Sequence, residues 1–543
     1  MAKVCNLDDA IGGLVQPEMH LHFPSTPSRS NAAIIALARR FSASEPNFVL
    51  STTGFHSAAH LLGLFRLGKK YVSCFFGDNY PTPRPNQLYT LLSREGAVLE
   101  HWSLLSYVSA FRAAAQGQPY GTTTPLGDTD LGRRLRQAGR YFEVSDPVEA
   151  GQSVGLVSAL RPDVTFVHGA LGSKDGAVVA YPPYGEGFHS AISAKAGVIA
   201  TVEKIVDAAT IQRSAGSVVI PAGHVTAICE VPGGAYPQPL YTPPGSNVEG
   251  YPDDPNAYLM WRRMTDSPEL FERFTTEIIA GHPSEYRYDK FARQAAQVPE
   301  RKRFYGPAAP SESVILRASS AIVRAVQERG HRRILAGIGQ SFLASRLAQL
   351  RLSQSGLHVP VMIETGLHGV DCGREADPFL LGHRNISRAA RLTGIEDVLG
   401  AWSCGAGRES CLAVIGAAQI DSRGDINSTH LHPDRVLVGS GGAADLASNA
   451  AELIVLTSCS PSRLVRTVDH VTSPGRAVRT VVTELCTFRR PNTSSVAWTA
   501  GDLAKGNDTP NQIMEACTWP SLTVDQYDVF SENHDLPALR GLL

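Results

Sequence analysis

Short apolar runs alternate with amphipathic stretches along most of the chain, a pattern typical of strands and helices in an α/β protein. A helical stretch at 10–15, an apolar run at 19–23 and a second helical stretch at 31–40 follow each other near the start. The same order recurs between residues 321 and 352. Both segments predict helix, strand, tight turn and helix. The pattern therefore predicts an α/β fold with mainly parallel sheets flanked by helices.

A second pair of segments also corresponds. Residues 164–178 and 411–426 each read as a buried apolar strand, a polar stretch that ends in glycine, and a return strand. Any two α/β segments look broadly alike at this level of detail. Two matched features in the same order favour a duplication, in which the two halves of the chain have related folds.

One segment has the composition of a linker. Residues 298–313 are first charged and then rich in proline and small side chains, without an apolar period. This segment predicts a longer first domain, 1–297, and a shorter second domain, 314–543.

Length and charge restrict the class of protein. A chain of 543 residues is too long for one hydrophobic core and suits two or more domains. Its 50 basic and 51 acidic side chains give a formal net charge of -1. This balance gives no reason to expect nucleic acid or an anionic membrane surface as a partner.

The nine cysteines are scattered singly and form no CxxC pair, so the sequence supports neither a zinc site nor a disulfide framework. No metal is expected. The first residues lack the apolar core of a signal peptide, and no run approaches the roughly 20 apolar residues that span a bilayer. These features predict a soluble, cytoplasmic protein with free thiols.

A glutamate stands out at the end of a predicted strand. Residues 358–362 read as a buried strand, and Glu364 follows in a turn that Gly366 makes possible. The carboxyl ends of strands are where open α/β sheets hold ligands, and a carboxylate can act as a nucleophile there. Taken alone the signal is modest, because most glutamates at strand ends are solvated or paired with a cation.

Two glycine turns follow other predicted strands of the second half, at 337–339 and 439–442. Glycine allows close approach to backbone N–H groups, which can bind an anion at a helix start. Neither turn matches the P-loop or the full dinucleotide-binding pattern, so nucleotide binding of those kinds is not supported.

Together these segments resemble the family I coenzyme A-transferases, most closely the glutaconate CoA-transferase type, with its alpha and beta subunits fused in one chain. The resemblance begins with the first eleven residues and covers most of the chain. The most specific matches lie in the second half: Ile363–Leu367, Gly416–Asp421 with Gly424–Thr429, Gly439–Ala443 and Val468–Gly475.

The resemblance implies a function and a set of site residues. Glu364 would be the nucleophile, coenzyme A the co-substrate, and an acyl-CoA and a small carboxylic acid the substrates. A homo-oligomer, dimer or larger, is expected. The residues implied in the oxyanion hole or in CoA binding are Gly366, Gly337, Gly339, Gly439, Gly441, Gly442 and Ala443. Tight turns between strands and helices remain the alternative role for these glycines.

The chain departs from the family in the loop after its first strand. Family members carry a glycine-glycine-phenylalanine turn there, whereas this chain keeps the phenylalanine and has lost both glycines. Side chains of this loop and of a proline-rich loop near residue 84 are therefore candidates for substrate binding. They are His22, Phe23, Ser25, Arg29 and Arg84; the alternative is an ordinary surface loop with a capping serine or threonine.

The altered loop leaves other functions open. The same fold with different chemistry would give a CoA-thioester hydrolase or an enzyme that modifies a ring or a carbon–carbon bond. A non-catalytic small-molecule-binding protein is a third possibility, which the presence of Glu364 disfavours. His56, His60 and His168 are expected to be packed or surface side chains, because no pair of them has metal-ligand spacing.

Overall fold

The structure is a computed structural model. It describes residues 2–24, 28–148, 151–186, 189–281, 287–296, 308–370, 377, 379, 382–431, 435–506, 508–531 and 535–542.

The first half is built on a parallel sheet. Along its main path the described strands lie in the order Lys3–Val4, Ala227–Glu230, Gly197–Val206, Val164–Ser173, His20–His22, Phe48–Ser51, Gly68–Ser73 and Val98–His101. All pairs on this path are parallel. Two short antiparallel strands, Val178–Val179 and Val218–Ile220, extend from the long central strand.

The second half has a sheet with a parallel centre, antiparallel pairs on both sides of it, and one parallel pair at the edge formed by Leu522–Val524. Its described strands follow the order Ala389–Leu392, Leu367–Val370, Val361–Ile363, Arg333–Ala336, Cys411–Gly416, Glu452–Leu456, Val478–Val482, Thr487–Arg489, Trp498–Gly501 and Leu522–Val524. Pairing is parallel from Val361–Ile363 through Val478–Val482.

Smaller sheets and helices surround these two sheets. The smaller sheets comprise Tyr120–Thr123, Ser153–Ser158 and Tyr141–Ser145; Gln419–Ile420 with Ile426–Asn427; and Gly54–Phe55 with Phe75–Phe76. The α-helices of the described residues are Leu7–Leu14, Asn31–Phe41, His60–Leu64, Gln87–Arg94, Leu104–Ala115, Asp130–Gln137, His189–Ile192, Ala208–Arg213, Pro255–Met264, Pro268–Phe274, Asp289–Ala296, Pro310–Arg329, Gln340–Gln354, His383–Ile386, Ala443–Asn449, Thr509–Ala516 and Leu536–Leu542. Wider π-helical turns occupy Thr275–Ile279 and Glu396–Cys404, and short 3-10 turns occupy Ser57–Ala59, Ala215–Ser217, Arg408–Ser410 and Gly475–Ala477.

The order of the central strands confirms the predicted duplication. Both predicted segment pairs occupy equivalent places: the strand from Val164 lies beside that from His20, and the strand from Cys411 beside that from Arg333. The neighbouring strands continue the match on both sides, so five consecutive strands of each described sheet share one order. The predicted α/β class with mainly parallel sheets is therefore confirmed.

Some predicted boundaries differ from the observed ones. The strand predicted at 358–362 begins only at Val361, because Pro360 has no N–H to give to a neighbouring strand. The predicted linker at 298–313 ends in a helix that begins at Pro310. Glu312 accepts the Ala309 N–H at 2.8 Å and so caps this helix start. Residues 298–307 lie outside the described part of the chain, and the domain division stays a prediction.

The two halves share a hydrophobic core. One cluster of buried side chains joins Trp102 and Tyr107 of the first half to Val398, Ala413 and Ala444 of the second. Backbone hydrogen bonds also cross between the halves, among them Phe76 N–H to the Val438 carbonyl at 2.7 Å. The two sheets are thus packed as one unit, and the second half's glycine turns lie at their junction. None of the described helices is both long and apolar enough to cross a bilayer.

Candidate active site

Glu364 is placed by the turn that ends strand Val361–Ile363. The Gly366 N–H closes this turn on the Ile363 carbonyl at 3.0 Å. Gly366 has a φ of 113°, and a Cβ there would lie 2.4 Å from the Thr393 carbonyl oxygen. Only glycine fits this position, because the backbone conformation and the close contact both exclude a side chain.

The Glu364 carboxylate points at the second glycine turn. A Cβ on Gly442 would lie 2.3 Å from Glu364 Oε2, and the Gly442 N–H donates a hydrogen bond to the carboxylate. Burial and the nearby Asp445 carboxylate raise the pKa of Glu364 from 4.5 to about 7, although the Gly442 N–H acts in the opposite direction. A carboxylate with a pKa raised in this way is a candidate functional residue.

Gly439 and Gly441 fit the second turn against the first half of the chain. Both have positive φ, and a Cβ on Gly439 would lie 2.6 Å from the Cys74 carbonyl oxygen. The N–H groups of Gly439, Gly441 and Ala443 donate hydrogen bonds to the carbonyls of Ser428, Cys74 and Ser440, respectively. The predicted role of these three residues as oxyanion donors therefore needs correction, since backbone carbonyls already hold their N–H groups. Gly442 is the member of the turn that faces the carboxylate.

The other glycine turn of the second half lies elsewhere along the junction. The Gly337 N–H donates to the Val414 carbonyl at 2.8 Å, so it is not available to an oxyanion. Gly339 has a φ of 78°, and a Cβ on it would lie 2.9 Å from Thr82 Cγ2 in the proline-rich loop of the first half. This turn brings the two halves close together, which leaves CoA contact at Gly339 as a prediction.

The structure places His22 and Phe23 in the core rather than in an open loop. Both side chains are fully buried. His22 Nδ1 is 2.9 Å from Ser51 Oγ, its Nε2 is 3.6 Å from Glu186 Oε1, and burial holds its pKa well below the usual range. Phe23 stacks on Phe166 with ring centroids 4.6 Å apart. Ser25 lies outside the described residues.

Arg29 and Arg84 have internal partners. Arg29 is buried and donates to the side chain of Asn31 and to the carbonyls of Gly54 and His56 at 2.8–3.0 Å. The contacts of Arg29 contradict its predicted role in substrate binding, because its buried guanidinium already donates to these three acceptors. Arg84 donates to Asp78 Oδ2 at 2.9 Å, and its role in substrate binding stays a prediction.

Sequence reasoning missed two features of this site. Asp445, on the helix that follows Gly442, is fully buried and raises the pKa of Glu364. The run Thr52-Thr53-Gly54-Phe55 follows the strand Phe48–Ser51, which occupies in the first sheet the place of Val361–Ile363 in the second. Thr52 therefore corresponds to Glu364, and the shared threonine and glycine after each residue are the signal that could have revealed it.

No described group of three or more histidine, cysteine, aspartate or glutamate side chains is arranged to hold a metal ion. Two of the histidines singled out in the sequence, His60 and His168, have side-chain partners. His60 contacts Tyr89 and Asp78, and His168 contacts Thr201 and Glu203.

Two related α/β halves place a carboxylate of raised pKa on a glycine turn at their junction. The coenzyme A transferase family matches residues 4–230 of the chain. This match lies in the first half of the chain, and that half is therefore similar to this family.

Relatives match parts of this chain. The first subunit of 3-oxoadipate CoA-transferase from Pseudomonas knackmussii is 26% identical over 34% of this chain, and the match spans 60% of that relative, less than two thirds of its length. The first subunit of glutaconate CoA-transferase from Acidaminococcus fermentans is 24% identical over 51% of this chain and 88% of its own length. The second subunit of the same enzyme is 40% identical over 12% of this chain and 25% of its own length.

Solved structures share the whole fold. The acyl-CoA transferase YdiF apoenzyme from Escherichia coli O157:H7 aligns with a TM-score of 0.68 at 15% identity. The alignment covers 100% of this chain and 98% of that one. At this identity the likeness establishes the arrangement of the two halves and nothing finer.

Proposed function

We propose that the protein is a CoA-transferase that moves CoA between an acyl-CoA and a carboxylic acid through a thioester on Glu364. The observation that carries the proposal is the contact between the Glu364 carboxylate and the Gly442 N–H at the junction of the halves. The match of residues 4–230 to the coenzyme A transferase family supports the reaction class, and the raised pKa of Glu364 supports its role as nucleophile.

The reaction proceeds in balanced steps. A Glu364 oxygen attacks the acyl-CoA carbonyl and expels CoA thiolate, which leaves an acyl-glutamyl anhydride. The thiolate then attacks the glutamyl carbonyl and releases the first carboxylic acid, and Glu364 holds CoA as a thioester. The acceptor carboxylate attacks this thioester, and the same two steps run in reverse to give the new acyl-CoA and free Glu364. Covalent catalysis divides one difficult exchange into feasible steps.

The Gly442 N–H has a specific role in this sequence. When the thiolate attacks the glutamyl carbonyl, a Glu364 oxygen becomes the oxyanion of the tetrahedral intermediate. The N–H that now contacts the carboxylate is then in hydrogen-bond reach of that oxygen. A positioned donor of this kind is typically worth a factor of about 100 to 1,000 in rate.

A trapping experiment tests the proposal. The protein is incubated with a panel of acyl-CoAs, reduced with borohydride and digested, and the peptide that contains Glu364 is examined by mass spectrometry. We expect reduction of the Glu364 side chain in the wild type and none in Glu364→Gln. The matched control is Glu249→Gln, a change at an exposed loop glutamate, which should behave as the wild type.

Two outcomes would contradict the proposal. Full acyl exchange by the Glu364→Gln variant would show that Glu364 is not the nucleophile. Release of free CoA from acyl-CoA at the same rate with and without an acceptor acid would identify a thioester hydrolase instead. The panel should include straight-chain, aromatic and dicarboxylic acyl-CoAs, because the site residues described do not identify the acyl group.

A further inference from the structure

Asp445 ties the glycine turn of the active site to the first half of the chain. It lies on helix Ala443–Asn449, directly after Gly442, and is fully buried. Its Oδ1 accepts hydrogen bonds from Ser103 Oγ at 2.7 Å and Thr124 Oγ1 at 2.9 Å, and its Oδ2 accepts the Leu105 N–H at 2.9 Å. All three donors belong to the first half, so this carboxylate is an anchor between the halves.

The anchor acts on the same turn that contacts Glu364. The Gly441 carbonyl accepts the Leu104 N–H at 2.9 Å, and the Gly441 N–H donates to the Cys74 carbonyl at 3.1 Å. Residues 103–105 therefore hold both ends of the segment between Gly441 and Asp445. Any shift of this segment would move the Gly442 N–H relative to Glu364, and a displacement of about 1 Å can cost 100-fold in rate.

The charge of Asp445 also reaches Glu364. The thiols of Cys74 and Cys404 pack near both carboxylates, and burial with these negative charges raises the pKa of each thiol, which keeps them neutral. The negative charge of Glu186 also raises the pKa of the Cys74 thiol. Among the groups that act on Glu364, Asp445 is the one whose negative charge opposes ionisation of the nucleophile.

We propose that Asp445 is a positioning residue for Glu364, which locks the Gly441–Gly442 turn onto the first half and sets a negative charge beside the nucleophile. This inference rests on the proposed function of Glu364. It assigns two separable contributions to one side chain: hydrogen bonds that fix geometry and a charge that makes the nucleophile more basic.

Asp445→Asn and Asp445→Ala separate these contributions. In Asp445→Asn the amide oxygen can still accept the Leu105 N–H, and the amide NH2 can donate to the hydroxyls of Ser103 and Thr124. Asp445→Ala removes the charge and the acceptor of all three hydrogen bonds, and Ser103 Oγ keeps only Ser106 Oγ as its acceptor. Asp525→Asn is the matched control, because it makes the same chemical change at an exposed aspartate.

The measurement is the rate of thioester formation on Glu364 in single turnovers, as a function of pH and of acyl-CoA concentration. Burial raises the pKa of Asp445 itself to about 6, so most of its charge is present only above that pH. Without this charge Glu364 ionises more easily, so both Asp445 variants should shift the acid limb near pH 7 down by about half a pH unit or more. The maximal rate should fall at least tenfold further in Asp445→Ala than in Asp445→Asn. Asp525→Asn should match the wild type.

Two results would overturn the inference. An acid limb of Asp445→Asn that coincides with the wild type would exclude the charge effect. Equal maximal rates in the two Asp445 variants, both shown to be folded by thermal melting, would exclude positioning by the hydrogen bonds. Absence of any thioester in the wild type would instead contradict the proposed function itself, so the two failures are distinguishable.

Discussion

Replacement of Glu364 by glutamine should stabilise the protein, and the gain should depend on pH. The folded structure raises the pKa of Glu364 from 4.5 to about 7. Between these values the folded chain holds a proton that the unfolded chain has lost, so stability falls as pH rises through this window. Above about pH 7 Glu364 is ionised in the folded chain, where its charged form is disfavoured. The full loss in the free energy of unfolding is then present. Below about pH 4.5 this loss is absent.

The size of the effect follows from the same values. At about 1.4 kcal/mol per pKa unit, the difference between 4.5 and about 7 corresponds to an upper limit of about 3 kcal/mol. Glu364 is partly exposed, and solvent screens part of its interaction, so about 1 to 3 kcal/mol is expected at pH 8. If all 543 residues melt as one unit, at about 2.1 cal/mol/K per residue, the gain in Tm is roughly 1 to 3 °C.

Thermal melting of the wild type, Glu364→Gln and Glu249→Gln at several pH values between 4.5 and 8.5 tests this reasoning. The difference between Glu364→Gln and the wild type should be near zero at the lowest pH, should grow through pH 7, and should then stay constant. Glu249→Gln changes an exposed carboxylate and should show no such profile. A gain that is equal at pH 4.5 and pH 8 would refute the assignment, because it would arise from packing and not from ionisation.

Three further predictions concern Gly442, Arg29 and His430. Gly442→Ala should slow thioester formation by about 100-fold or more, because the new Cβ would lie 2.3 Å from Glu364 Oε2. The control Gly416→Ala, whose new Cβ would have no neighbouring atom nearer than 3.9 Å, should retain the wild-type rate in the same assay. Arg29→Met should lower the free energy of unfolding by about 2 to 4 kcal/mol, because the Gly54 and His56 carbonyls lose their donors. It should leave the KM for the acceptor acid unchanged, and a raised KM without a loss of stability would indicate that Arg29 binds the substrate. His430, whose pKa burial and Arg134 lower to about 3, should contribute to acid sensitivity. Its unfolded form takes up a proton below about pH 6.5, so His430→Gln should gain stability relative to the wild type as pH falls from 7.5 to 5 in urea titrations; a constant difference would contradict this.

The parts of this fold that depend on local sequence pattern could be predicted from the sequence. Alternation of apolar runs with amphipathic stretches predicted mainly parallel sheets, and the matched segments around residues 164 and 411 predicted that the two halves have related folds. Glu364 was found because its turn needs a glycine at 366, which is a local requirement of backbone geometry. The helix start at Pro310 was also readable, from proline at its first position and a glutamate two residues later, but the composition of the segment suggested a linker.

The contacts between segments that are distant along the chain could not be predicted from the sequence. Arg29 in a loop with a lost glycine pair suggests a substrate ligand, yet its partners are carbonyls at 54 and 56. The glycines at 439 and 441 suggest free N–H donors, yet Ser428 and Cys74 accept them. Asp445 carries no local signal, because its three donors lie more than 300 residues away along the chain. Each of these depends on how the halves pack.

The duplication allows the proposed nucleophile to be compared with the equivalent position of the first half. The turn after Phe48–Ser51 has threonine and glycine in the same places as the turn after Val361–Ile363, with Thr52 where the second half has Glu364. Thr52 is fully buried, whereas Glu364 is partly exposed at the junction. A carboxylate at 52 would have to lose its hydration without access to a substrate, at a cost of several kcal/mol. The first half therefore contributes the donors that hold Asp445, and the second half contributes the carboxylate that we propose as the nucleophile.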